Sequence, residues 1–177
     1  GLALGFILQI AFAAPTIAAE LIGGGMGMSM AVTSDPNGGG QITAFGQFFS
    51  IVLILIFLAM GAHLHWLRLV IESYDAFPPG ETWLGADRSA VIASFAGSMF
   101  ETAVRIALPV TLVLLLVQIL TGVLSRSAPS LNLFALGLPA GVLAGITALI
   151  LAAPVTYDQL AGVVTLSLEQ VEGVVLQ

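Results

Sequence analysis

Long stretches without charge constrain this chain more than any other feature of its sequence. Between Gly1 and Leu67, the only Asp, Glu, Lys or Arg residues are Glu20 and Asp35. In the whole chain 8% of residues are charged and 58% are hydrophobic, whereas a soluble domain usually has about 25% charged residues. Since an apolar helix of about 20 residues can cross the hydrocarbon core of a bilayer, the sequence predicts an all-α integral membrane protein. We expect long kinked helices and helical hairpins, interrupted by an irregular loop.

The apolar runs divide this single predicted domain into helices and connectors. We predict a small-residue-rich helix over 1–30, a loop over 30–44, a helix over 45–74, a connector over 75–89, a helical hairpin of 90–125 and 132–154, and an amphipathic C-terminal helix over 155–177. Small residues allow close helix packing in lipid, so the first helix is expected to pack against protein. Pro15 and Pro154 predict kinks or ends, because proline lacks a backbone donor.

The start of the chain predicts that it is part of a longer protein. It begins inside an apolar run without an initiator Met. A signal peptide would need a basic segment before the apolar run, and none is present.

The loop between the first two apolar runs is the main candidate functional element. It contains Asp35 and Pro36 followed by Gly38, Gly39 and Gly40. Irregular backbone at membrane depth survives only where protein buries it or where it lines a watery cavity. The loop is therefore predicted to act as a gate, with the glycines as its hinge because they accept positive φ without strain.

Three methionines precede this loop at alternate positions, namely Met26, Met28 and Met30. Flexible thioether side chains adapt to irregular surfaces. They could form a soft seal around a passing chain, or they could simply fill space between helices. Alternation does not suit one face of a helix, so a seal predicts a bent or extended segment.

The few polar residues inside apolar segments are candidate structural or interface groups. Glu20 is expected to bond backbone at residues 23–25 or a neighbouring subunit, with proton relay as the alternative. Glu101 and Arg105 are four residues apart, which predicts an ion pair on one helix face, again with a proton path as the alternative. Arg126 and Asn132 lie at a predicted turn, where their side chains are expected to donate hydrogen bonds to loop carbonyls.

Several classes of function find no support in the sequence. The chain has no Cys, and His63 and His65 are two residues apart, so they point to different faces of a helix instead of forming a metal pair. No catalytic constellation is present. The glycine run lacks the Gly-Lys-Ser/Thr of a phosphate-binding loop. With four arginines and no lysine, the chain has too few basic residues for the positively charged surface that binds nucleic acid. We therefore predict no catalytic residue, metal or cofactor.

The arginines also predict an orientation. Arg68, Arg88 and Arg105 flank the connector over 75–89, and only Arg126 flanks the next turn. Basic residues favour the cytoplasmic side. The connector and the C-terminus are thus predicted to be cytoplasmic, and the Asp35 loop is predicted to face outward.

Several motifs together resemble the FliR/SctT family of flagellar and type III secretion export-gate proteins. The motifs are Glu20-Leu21-Ile22-Gly23 with Gly27-Met28-Ser29, Asp35-Pro36, Gly61-Ala62-His63, Phe77-Pro78-Pro79-Gly80, and Gly122 to Phe134 with Arg126, Ala128-Pro129 and Asn132. The last motif is the most specific. Two residues depart from the family's pattern: Ser130 stands where the family usually has Gln, and Ala62 stands where Asn or Gly is commoner. The resemblance covers nearly the whole chain and implies that the family's N-terminal helices are missing.

The resemblance implies a function in protein export. Members of this family assemble with FliP-like and FliQ-like subunits into a helical complex, around whose cytoplasmic side an FlhB-like protein wraps. Unfolded proteins pass through its channel across the bacterial inner membrane, in a flagellar basal body or an injectisome. A plug loop helps to close that channel, and Met30 to Ala44 match it here.

Two other classes remain as alternatives. A small-solute secondary transporter with broken helices usually shows repeated halves and charged sites at the midplane. An intramembrane protease would need paired acids or a His-Glu-x-x-His-like helix, and the sequence contains no such helix motif.

Overall fold

Helices make up most of the structure. The computed structural model describes residues 2–27, 32–34, 41–76, 86–127 and 133–176. Its elements are α1 (Leu2–Gly25), β1 (Val32–Ser34), β2 (Gln41–Thr43), α2 (Ala44–Ala59), α3 (Ala62–Ala76), α4 (Ala86–Ser127) and α5 (Leu133–Leu176). The predicted all-α class is confirmed, with one short hairpin in addition.

Three helices of the described ranges are long and apolar enough to cross a membrane, over Leu2–Gly25, Ser89–Leu124 and Gly137–Val175. Helices α2 and α3 meet the same criterion only as a pair, and they are bent by 73° relative to each other. At 1.5 Å per residue, the 42 residues of α4 extend about 63 Å. Since the hydrocarbon core is about 30 Å thick, α4 and α5 are each longer than a straight crossing requires.

The helix predicted over 45–74 is in fact two helices, and the break lies at Gly61. Gly61 has φ 70°, a conformation that side chains with a Cβ rarely adopt. Its amide donates to the carbonyl of Leu58 (3.0 Å), and its own carbonyl accepts from the amide of Leu64 (3.0 Å). The left-handed glycine therefore ends α2 and starts α3 in a new direction, as glycines do after helix C-termini.

By contrast, the predicted boundary at Pro154 is absent. Helix α5 runs for 44 residues through Pro139 and Pro154, so 132–154 and 155–177 do not form separate helices. A proline removes one backbone hydrogen bond, but buried side chains beyond it, including Leu160, Val163 and Val164, hold the second half of α5 against the core. Helix α1 likewise continues through Pro15.

The core is built around α1. Its buried residues recur every three or four positions, at Leu4, Ile7, Ala11, Ala14, Ala18 and Ile22, which places them on one face of a helix. The small alanines let α4, α2 and α5 approach closely. Phe12 contacts Phe57 of α2 edge-on with ring centroids 5.6 Å apart. The expected packing of the first helix against protein is thus observed.

Helices α3, α4 and α5 complete the fold. Helix α5 packs along α4, as the predicted hairpin requires, and α3 packs on α5. The side chain of His65 on α3 contacts Glu172 of α5 with Nε2 and Oε1 2.8 Å apart. Buried Leu69 and Val171 belong to the same apolar core. The bend at Gly61 therefore brings α3 onto the far end of α5.

Candidate gate loop and its supports

A short hairpin lies within the predicted loop over 30–44. Strands β1 and β2 pair antiparallel with Val32 opposite Thr43 and Ser34 opposite Gln41. Thr43 then caps α2, since its Oγ1 accepts a hydrogen bond from the amide of Gly46 (3.1 Å). The cap makes the end of the loop continuous with the start of α2. Of the predicted gate residues, Met28, Met30, Asp35, Pro36, Gly38, Gly39 and Gly40 lie outside the described residues.

Met26 is the one predicted gate residue that the structure describes, and it is buried between helices. Its side chain is 1% exposed. It sits against Gly145 of α5, where an added Cβ would come within 2.7 Å of Met26 Cγ and 2.9 Å of Sδ. One turn earlier, a Cβ on Gly141 would be 3.6 Å from the carbonyl oxygen of Met26, which is an ordinary contact. Glycines of α5 thus form a notch for this methionine.

The last residues of α1 are also held by α4. Gln118 Nε2 donates to the carbonyl of Gly25 (3.0 Å). The last carbonyls of a helix have no partner within it, so this amide supplies one at the end of α1. Leu114 packs on Gly25 so closely that a Cβ there would lie 2.9 Å from Leu114 Cδ1. Gly27 follows with φ 75° and turns the chain away from α1.

The other predicted polar residues occupy different parts of the fold. Glu101 and Arg105 form the expected ion pair, with Oε1 and Nη2 2.6 Å apart on the exposed face of α4. Arg126 is exposed in the last turn of α4, where a cation interacts favourably with the helix dipole. Asn132 lies outside the described residues. None of the contacts described for Glu101, Arg105 and Arg126 involves Met26.

Glu20 is exposed on α1. The expected hydrogen bond to backbone at residues 23–25 is not among its contacts in the described part of the chain. A bond to a neighbouring subunit stays a prediction.

The two histidines have separate environments. His65 bonds Glu172, whereas the buried Nδ1 of His63 has no hydrogen-bond partner among the described residues. No group of three His, Cys, Asp or Glu side chains that could hold a metal occurs in the described ranges.

Comparison with known proteins identifies the family. The model of the bacterial export proteins, family 1, matches residues 1–166. The chain belongs to this family. It is similar to the flagellar biosynthetic protein FliR of Pectobacterium carotovorum subsp. carotovorum, at 34% identity over 154 residues, which cover 87% of the chain and 59% of the relative.

Other relatives are similarly close. The FliR protein of Escherichia coli (strain K12) is 31% identical over 83% of the chain and 56% of the relative. That of Bacillus subtilis (strain 168) is 31% identical over 96% of the chain and 66% of the relative. The chain spans about three fifths of the length of the curated relatives that it matches.

Sequence reasoning on this family member missed the residues that support Met26. Gln118 carries the only carboxamide between Ile106 and Leu124, and a strongly polar side chain inside an apolar segment signals a specific partner. Gly137, Gly141 and Gly145 are spaced by four, the pattern of close approach between membrane helices. Both signals were available, but neither says that the partner is the end of α1.

Proposed function

We propose that this chain is part of a membrane subunit of a bacterial flagellar protein-export apparatus. The single observation that carries the proposal is the family match over residues 1–166, and the relatives named flagellar biosynthetic proteins support it. Three helices suited to membrane crossing agree with a site in the bacterial inner membrane, within the basal body. The family name does not favour the alternative of a small-solute transporter.

Within this apparatus, the proposed role of the chain is to form part of the channel for unfolded proteins. The segment from Met30 to Ala44 serves as its plug, with Asp35, Pro36 and Gly38–Gly40 at the centre. Met28 and Met30 contribute flexible thioethers to the seal. The support in the structure is that the chain is held on both sides of the undescribed part of the loop, before it at Met26 by α5 and after it at Thr43 by the cap of α2.

The proposed partners are FliP-like and FliQ-like subunits, an FlhB-like protein and the exported chains. Much of the lateral surface of α4 and α5 is apolar and exposed in the isolated chain, including Leu112, Leu116, Leu120, Leu143, Ile150 and Leu151. A surface of this kind needs lipid or another apolar surface to cover it. The chain is proposed to act as a structural subunit and not as an enzyme.

Membership of the complex is tested by isolating the intact protein under mild detergent conditions. We expect FliP-like and FliQ-like subunits to be recovered with it in fixed proportion. Recovery of a stable protein alone from a flagellated cell that makes all three would contradict the proposal.

The seal is tested by ion leakage through the assembled complex. Met28→Ala combined with Met30→Ala, or deletion of Gly38–Gly40, should raise the leak because the closed channel loses side-chain volume or loop reach. Met60→Ala is the matched control, since Met60 is half-exposed at the end of α2 and far from the loop in sequence. Equal conductance of all variants would count against a sealing role.

A further inference from the structure

The end of α1 is fixed to the α4–α5 pair by contacts from two sides. Met26 fills the notch at Gly145 and Gly141, and Gln118 donates to the carbonyl of Gly25. These contacts join positions that are far apart in the chain, 93 residues in the case of Gln118 and Gly25. They lie at the point where the chain leaves α1.

The notch tolerates no side chain at residue 145. A Cβ would lie 2.7 Å from Met26 Cγ, well inside van der Waals contact. Cγ is close to the backbone, so turning only the end of the Met26 side chain does not relieve the overlap. Met26 is 1% exposed, so a Cβ at residue 145 displaces a buried side chain from the notch.

We propose that Gly145 and Gln118 are positioning residues that hold residues 25–27 in place. Their contacts set where the chain leaves α1 relative to α4 and α5. The consequence for channel closure rests on the proposed function, whereas the anchoring itself does not.

Two amides report directly on this anchor. The amide of Met26 donates to the carbonyl of Ile22 and that of Gly27 donates to Gly24, both at 3.0 Å. If Met26 leaves the notch, these last hydrogen bonds of α1 open more often, and local opening is what amide hydrogen exchange measures. The readout is thus confined to the residues in question.

The experiment measures hydrogen exchange in the intact protein within its membrane complex. Gly145→Ala should accelerate exchange at Met26 and Gly27 by about tenfold. Gly162→Ala and Gly173→Ala are the matched controls on the same helix, because an added Cβ meets nothing within 4 Å at either residue. Both controls should exchange like the wild type.

A double variant separates anchoring from a general effect on α5. In a Met26→Ala background the clash no longer exists, so Gly145→Ala should add no further acceleration; coupled residues show this non-additivity. Equal acceleration in both backgrounds would overturn the proposal, as would unchanged exchange in Gly145→Ala. If Gly145→Ala does not assemble, Gln118→Leu is measured instead, and unchanged exchange in that variant overturns the proposal equally.

Ion leakage through the same complexes distinguishes the anchor from the plug. Faster exchange with a raised leak supports both proposals. Faster exchange without a leak leaves the anchor established and contradicts the plug role of the segment that follows it.

Discussion

Polar side chains within the helices form specific links between helices. Gln118 reaches the carbonyl at the end of α1, and Thr16 of α1 shares a hydrogen bond with Ser50 of α2 at 3.1 Å. A polar group that is kept away from water costs free energy unless it is hydrogen-bonded. Such pairs therefore select one arrangement of the helices among many that would bury similar apolar area.

Apolar side chains divide sharply between core and surface on the same helix. Leu53 is fully buried, whereas Leu55 is 60% exposed. Leu53→Ala should lower the free energy of unfolding by about 2–5 kcal/mol, since it removes buried methyl groups and leaves a cavity. Leu55→Ala is the control and should have little effect on the isolated chain. Thermal unfolding in detergent measures both, and equal midpoints for the two variants would contradict this packing of α2.

At the scale of elements, glycine and proline have unequal effects on these helices. Prolines at 15, 109, 139 and 154 all lie inside continuous helices, so neither Pro15 nor Pro154, where the sequence predicted a kink or an end, ends its helix. Met60 and Gly61 separate α2 from α3, and Gly61 is the one with a positive φ. Packing on both sides of a proline compensates for one lost hydrogen bond, whereas a positive φ changes the direction of the chain whatever surrounds it.

The bend at Gly61 predicts a strong effect of an added methyl group. Gly61→Ala forces a residue with a Cβ to adopt φ 70° and should cost about 1–2 kcal/mol. Gly97→Ala is the control, because Gly97 lies inside α4 with nothing within 4 Å of an added Cβ; it should be neutral or stabilising by about 0.5–1 kcal/mol. Unfolding in detergent compares them, and a stabilised Gly61→Ala would show that the bend is not required.

At the scale of the whole molecule, apolar surface and charge are arranged along the α4–α5 pair. No charge other than Arg126 occurs from Ile106 to Tyr157, and the Glu101–Arg105 pair and Asp158 lie just beyond the two ends of that stretch. About 19 charge-free residues of α4 suffice for one crossing of the hydrocarbon core. The rest of α4, from Ala86 to Arg105, adds about 30 Å of helix to that stretch.

The exposed Glu101–Arg105 pair tests what covers this part of α4. If lipid or protein covers the pair, Arg105→Met leaves the carboxylate of Glu101 without its partner, and an unpaired charge is costly away from water. Arg105→Met should then reduce assembly more than the double variant Glu101→Gln with Arg105→Met, in which no charge remains unpaired. If water covers it, all variants should assemble alike, as exposed pairs contribute little. The amount of assembled complex is the measurement. Equal yields would contradict burial of this surface.

The membrane class, the helical composition and the family followed from the sequence, because hydropathy and motifs are properties of neighbouring residues. The Glu101–Arg105 pair also followed, since its partners are one helical turn apart. The contacts of Met26 with Gly145, Gln118 with Gly25, and His65 with Glu172 required the tertiary structure. Their partners are about a hundred residues apart, so each depends on how far one helix is shifted along another. That register is set by the combined packing of all five helices and by the turn at Gly61, and no local pattern contains it.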